Sequence, residues 1–361
     1  MHATAVPASA GASGADAAGP GRAAYIDVAR IVAIVAVVCI HVLSLVPASV
    51  PRGSGRWWLG LTGNAAARWS VPVFVMLSGA LLLDPCRRES LGAFYRRRLT
   101  RVGVPAVAWI GLYYVFRMLA HHEQLTPSRM WREILQARTY YHLYFLYAIL
   151  GLYAVTPFLR VFVRAASRVE LTAVTVLALS AAALDQLLGA TAHISSPTYA
   201  LTLFLPYLGY FLAGYLLRDV RVPAWTGWLL GGVFGVTVAA EVGVSMLLTA
   251  RGGIADLQVP MSYFSFLTVA MSLSVFLLLA RWRPPARISA GSRRRLHLAA
   301  AATFGVYLAH PMVLDRLYFY LHLTRGNASA GALVGLVVAT TVLTFAAVLV
   351  LGRVPGIRRL L

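Results

Sequence analysis

The sequence predicts an all-helical, polytopic membrane protein of about ten transmembrane helices, with both termini cytoplasmic, and three observations carry that prediction. Apolar runs of about twenty residues recur along the chain, the length a helix needs to cross a hydrocarbon core of roughly 30 Å. Hydrophobic residues make up 59% and charged residues 12% of the 361, with a mean hydropathy of +0.73. The arginines, finally, are distributed unevenly between alternate loops. The runs are continuous, where a closed β-barrel would show short alternating strands.

Taken in order, residues 1–21 are rich in Ala, Gly, Ser and Pro and precede any apolar run, so they read as a disordered cytoplasmic tail and not as a signal peptide. Spans are expected near 28–46, 62–83, 102–120, 140–159, 169–189, 199–217, 225–249, 261–280, 297–320 and 331–351, forming one membrane domain over 22–361. With the N-terminus inside, 21 arginines fall in cytoplasmic segments, Arg87, Arg88, Arg96, Arg97, Arg98 and Arg101 among them, against 7 outside. That is the positive-inside bias.

The net charge of +20 could suggest nucleic acid. The charges sit in short loops, however, where they set orientation and meet anionic lipid headgroups, so lipid is the expected partner. All 32 basic residues are arginine. Cys39 inside a span and Cys86 in a basic loop imply no disulfide framework.

Chemistry concentrates first in residues 22–46, which carry Asp27, Arg30 and His41. The eleven-residue step from Arg30 to His41 overshoots three helical turns by only about 20° and rises roughly 16 Å, so both share a face at different membrane depths. Asp27 joins that face by its three-residue step to Arg30. A buried imidazole can take a proton from a hydroxyl and return it, which suits acyl transfer. The plainer alternative is a packing histidine, with Arg30 snorkelling to the interface and Asp27 capping the helix.

Arg98 and Arg101, three apart on a helix entering the membrane, can present two guanidinium forks to one anionic ligand. The alternative is a loop bound to lipid headgroups. Ser78-Gly79 brings a hydroxyl and a close backbone approach, or simply tight helix packing. His142, among Tyr140, Tyr141 and Tyr144, is either an acceptor contact or part of an aromatic belt. His310-Pro311 marks a helix distortion. Arg68, Arg117, Asp185, Glu241, Asp315 and Arg316 all fall towards the outer ends of their spans, as an acceptor pocket or as paired interfacial groups. Asp315 and Arg316, being sequence neighbours, are expected to point apart.

Several of these segments resemble the membrane-bound acyltransferase-3 family. Arg30-x10-His41 after YIDVAR is similar to its first-helix motif, and Val71-Pro-Val-Phe-Val-Met-Leu-Ser-Gly79 to its phenylalanine-rich LSG segment. Phe94-x3-Arg98-x2-Arg101 fits its FxxxRxxR pattern, His142-Leu-Tyr-Phe-Leu146 its HLWFL segment, and Gly305-Val-Tyr-Leu-Ala-His310-Pro311 its GIYLxHP helix. The matches keep the family's order over most of the chain. Tyr144 stands where tryptophan is common, and Phe74-Val75-Met76 has fewer aromatics than usual.

The resemblance implies an O-acyltransferase, with acetyl as the default group, in a bacterial inner membrane. It would take acyl-CoA from the cytoplasm and deliver to a hydroxyl of an outer glycan, lipid-linked sugar or small molecule. His41 would be the general base, with Arg30 and Asp27 holding or orienting the donor end. Arg98, Arg101 and Ser78 would contact acetyl-CoA, and His142, Glu241 and His310 the acceptor; no metal is expected. Cys39, two positions from His41, points away from it, which favours direct transfer. The rival class is a secondary transporter, which would show interrupted half-helices and repeat symmetry.

Overall fold

A computed structural model describes residues 20–44, 46–86, 89–192, 199–220, 222–252, 260–282 and 289–361, excluding the side chains of 20–23 and 249–252. The expected tail up to residue 19, and the loop arginines Arg87, Arg88, Arg221, Arg283 and Arg287, lie outside the described residues.

The described chain is helical throughout: α1 Pro20–Leu43, α2 Gly55–Ala67, α3 Ser70–Leu82, α4 Leu91–Arg98, α5 Val104–Ala120, α6 Pro127–Leu135, α7 Tyr144–Ala165, α8 Arg168–Thr191, α9 Leu208–Leu217, α10 Thr226–Gly252, α11 Phe266–Arg281, α12 Ala290–Tyr320 and α13 Ala330–Leu351. Eight stretches are long and apolar enough to span a membrane, and Leu205–Leu217 and Phe266–Arg281 are shorter apolar helices. These fall on the ten segments that hydropathy singles out.

Two of the stretches are not simple helices. Gly55–Leu82 breaks between α2 and α3 at Arg68 and Trp69. Pro72 explains the break, since it offers no N–H to the Arg68 carbonyl and its ring crowds that oxygen. Leu91–Ala120 contains a π-helical turn, Leu99–Gly103, which widens the helix just where Arg101 sits.

Helix α3 is the hub of the packing. A Cβ on Gly79 would stand 1.8 Å from the Phe211 carbonyl oxygen of α9, and one on Gly214 would stand 1.9 Å from that of Met76. Glycine at both points is what lets the two backbones cross in contact. Helix α1 packs on α12, α2, α3 and α13 and buries Ala29, Ala33, Val37 and Ile40, so the helix that carries Arg30 and His41 is fixed along its length.

The polar groups that the sequence places towards the outer ends separate into distinct arrangements. Buried Arg117 donates to Glu133, Glu123 and the Thr139 carbonyl at 2.6–3.2 Å, tying α5 to α6 and the turn before α7. Asp185 is exposed. The expected separation of Asp315 and Arg316 is corrected: Arg316 Nε lies 3.1 Å from Asp315 Oδ2. Helical geometry sets where the Cβ atoms point, but the long arginine arm curls back to its neighbour and rests on the faces of Phe116 and Phe319.

Candidate active site

Two cavities approach one cluster of rings from opposite ends of α1 and α12. The first, of about 280 Å³, is lined by Arg30, Ser78, Arg98 and Arg101 at one level and by Phe145, Phe304 and Tyr307 further in. Arg30 therefore shares a cavity with the arginine pair. The second, of about 470 Å³, is lined by Tyr140, Tyr141, Pro311, Asp315, Tyr318 and Arg325.

Between them stand His41, His142 and His310. The His41 ring stacks on His310 at 5.1 Å between centroids and meets His142 at 6.5 Å, while His142 and His310 are 5.5 Å apart. Tyr141, from the second cavity, lies 4.8 Å from His41, and Tyr307, from the first, lies 5.3 Å from His142. The structure thus brings together three histidines that the sequence offered on three separate segments.

Local backbone features hold this cluster. Pro311 cannot donate to the Tyr307 carbonyl one turn back, and the freed oxygen accepts from His310 Nδ1 at 2.8 Å. The Val306 carbonyl lies 3.0 Å from the same nitrogen. Because a carbonyl only accepts, the proton is on Nδ1 and Nε2 keeps its lone pair. Tyr307 donates its hydroxyl to the His142 carbonyl, and Tyr113 donates to the Leu308 carbonyl at 2.8 Å. The two bonds pin α12 and the turn before α7 to each other and to α5. The rings of His142 and the Nε2 of His310 are buried without a hydrogen-bond partner among the described residues. Buried polar atoms of that kind ask for a ligand.

Arg98 is framed rather than loose. Its guanidinium sits 5.3 Å from the Phe94 ring centre and 5.6 Å from that of Tyr153. Ser78 lines the same cavity but donates its hydroxyl to the Phe74 carbonyl at 2.9 Å, which leaves its lone pairs for the cavity. The neighbouring Gly79 serves packing, as described above.

Two expected members stand elsewhere. Asp27 Oδ2 lies 3.2 Å from His297 Nδ1 of α12, and its charge also acts on Arg30. Its direct role is to join α1 to α12. Glu241 lines neither cavity; it is fully buried and accepts from the Thr268 hydroxyl at 2.7 Å, in a polar cluster of α10 and α11. Sequence reasoning passed over Tyr307 and Arg325. The first was visible inside the GVYLAHP segment, whereas the second sits in a short loop that carried no signal.

Among the described residues no group of three His, Cys, Asp or Glu could hold a metal ion. A family model described as an acyltransferase domain, acyltransferase-3, matches residues 23–353. No curated protein and no solved structure matches the chain significantly. The family match covers nearly every helix, including both cavities and the histidine cluster between them, and the protein therefore belongs to the acyltransferase-3 family of membrane acyltransferases.

Proposed function

We propose that the protein is an O-acyltransferase of a bacterial plasma membrane that takes an acetyl group from cytoplasmic acetyl-CoA. The group goes to a hydroxyl of a glycan, lipid-linked sugar or related small molecule reaching the other face. The observation that carries the reading is the convergence of an arginine-lined cavity and a tyrosine-lined cavity on His41.

The donor's phosphate-bearing end stays with Arg98 and Arg101, whose forks suit phosphate oxygens, and Arg30 lies along the path of the pantetheine arm. The thioester reaches the ring cluster past Tyr307. His41 takes the proton of the acceptor hydroxyl as its oxygen attacks the thioester carbon. The C–S bond breaks, and the imidazolium returns the proton to the departing thiolate, so the imidazole is regenerated. His310 stacks on His41 and fixes its ring, and His142 borders the same space as an acceptor contact. Asp27 acts at a distance, by holding α1 against α12 at the level of Arg30.

Purified protein in lipid, given labelled acetyl-CoA and a panel of glycosides, tests this reading. Label should move to acceptor with wild type and not with His41→Ala. Solute movement without consumption of acetyl-CoA would instead point to a secondary transporter.

A further inference from the structure

Arg325 is a cation held over the outer cavity with no acceptor among the described residues. Its side chain is half-buried, its Nε is buried without a hydrogen-bond partner, and its guanidinium lies 5.6 Å from the centre of the Tyr318 ring. Asp315, the one carboxylate among the described residues lining the same cavity, has Oδ2 engaged by Arg316 and Oδ1 by His121 Nε2 at 3.4 Å.

The loop that presents Arg325 is built, not slack. Arg56 Nη1 donates to the Gly326 carbonyl at 2.7 Å and reaches that of Ala328 at 3.3 Å. Asn327 Oδ1 accepts from the Thr324 backbone at 2.6 Å, and the Thr324 hydroxyl accepts from the Asn327 backbone at 3.1 Å. Arg325 is thus clamped from both flanks. Around it, Tyr140, Tyr141 and Tyr318 supply flat apolar walls with polar tips, surfaces suited to the faces and hydroxyls of a sugar ring.

A pre-positioned guanidinium without an ion-pair partner among the described residues favours a ligand that brings one, since charge-assisted fork contacts are strongest to carboxylate and phosphate. We infer that the acceptor carries an anionic group, a carboxylate or a phosphate, which Arg325 binds while the tyrosines hold the sugar and turn its hydroxyl towards His41. The inference rests on the acyltransferase reading for the hydroxyl transfer, but the binding of the anion does not depend on it.

The test separates the two. Full-length protein in lipid nanodiscs is titrated with methyl glucoside, methyl glucuronide and glucose 1-phosphate, for wild type and for Arg325→Gln. Acetyl-CoA affinity, read independently, reports that the variant is folded and tests the donor site. Wild type should bind one or both acidic glycosides at least about tenfold more tightly than the neutral one, and Arg325→Gln should lose that difference. The acidic arm that is favoured identifies carboxylate or phosphate. Equal binding of all three by wild type, or an unchanged preference in Arg325→Gln, would overturn the inference. Absent acetyl-CoA binding alongside an Arg325-dependent preference would instead count against the donor assignment alone.

Discussion

His41 of α1 and His310 of α12 stack with ring centroids 5.1 Å apart and planes inclined by 30°. One ring nitrogen of His310 is committed to backbone carbonyls, so the pair is asymmetric: His310 is oriented by the main chain, and His41 is oriented by His310. Replacing His41 with Ala should lower transfer by roughly a hundredfold to ten-thousandfold, the range associated with removal of a general base. Replacing His310 with Asn should lower kcat with little change in the apparent affinity for acetyl-CoA. Steady-state kinetics in proteoliposomes reads both.

Arg98 stands beside two aromatic rings and lines the arginine-rich cavity. Lysine keeps the charge but loses both the planar stacking and the fork, so Arg98→Lys should raise the KM for acetyl-CoA about tenfold. Arg101→Gln should weaken donor binding and flatten its dependence on salt. Isothermal titration at two ionic strengths checks the pair of outcomes.

The crossing of α3 and α9 leaves no room for a methyl group. Gly79→Ala and Gly214→Ala each push a Cβ to within 2 Å of a carbonyl oxygen on the other helix, and backbone cannot swing aside as a side chain can. Each should cost about 1–3 kcal/mol or more. Gly231 and Gly235 of α10 have nothing within 4 Å of an added Cβ, and alanine there should stay within about 0.5 kcal/mol. Thermal unfolding in detergent distinguishes the two classes.

The latch on Arg117 should be acid-sensitive. Hydrogen bonds from Arg117 hold the Glu123 carboxyl below the ordinary glutamate range. Burial pushes Glu133 the other way, but Arg117 and Arg129 prevail and it too is lowered. A carboxylate whose value is lower when folded stabilises above its unfolded value and loses that contribution as pH falls through the folded one. The 121–139 segment should therefore keep full protease resistance at neutral pH and lose it below about pH 4, whereas Glu133→Gln should already show weakened resistance at pH 7. Limited proteolysis across a pH series reads this directly.

Much of the architecture was legible because membrane helices write their own length into hydropathy, and the common face of Arg30 and His41 followed from helical pitch. The gathering of His142 and His310 onto His41 was not legible from periodicity, which describes one helix at a time. An imidazole beside tyrosines at a span's end looks like an interfacial belt until the neighbouring helix is in place. Asp27 illustrates a related gap: helical spacing placed it on the face of Arg30, whose charge it does feel, while its contact with His297 came only from the tertiary fold. The Asp315–Arg316 contact shows that the reach of arginine overrides the direction of its Cβ. Glu241 looked like a pocket residue because depth can be read from sequence, whereas lateral position cannot.

The rings that part the two cavities, with centroids 4.8–6.5 Å apart, also make an aromatic layer between them. A carrier that moved acetyl-CoA bodily would have to conduct a large polyanion through the bilayer against the cost of burying its charge. In the proposed transfer only the acyl carbon would need to meet the aromatic layer, and it would change sides by changing bonds. On the proposed reading, the acyl group would pass to the acceptor while the nucleotide stays on the arginine-lined side.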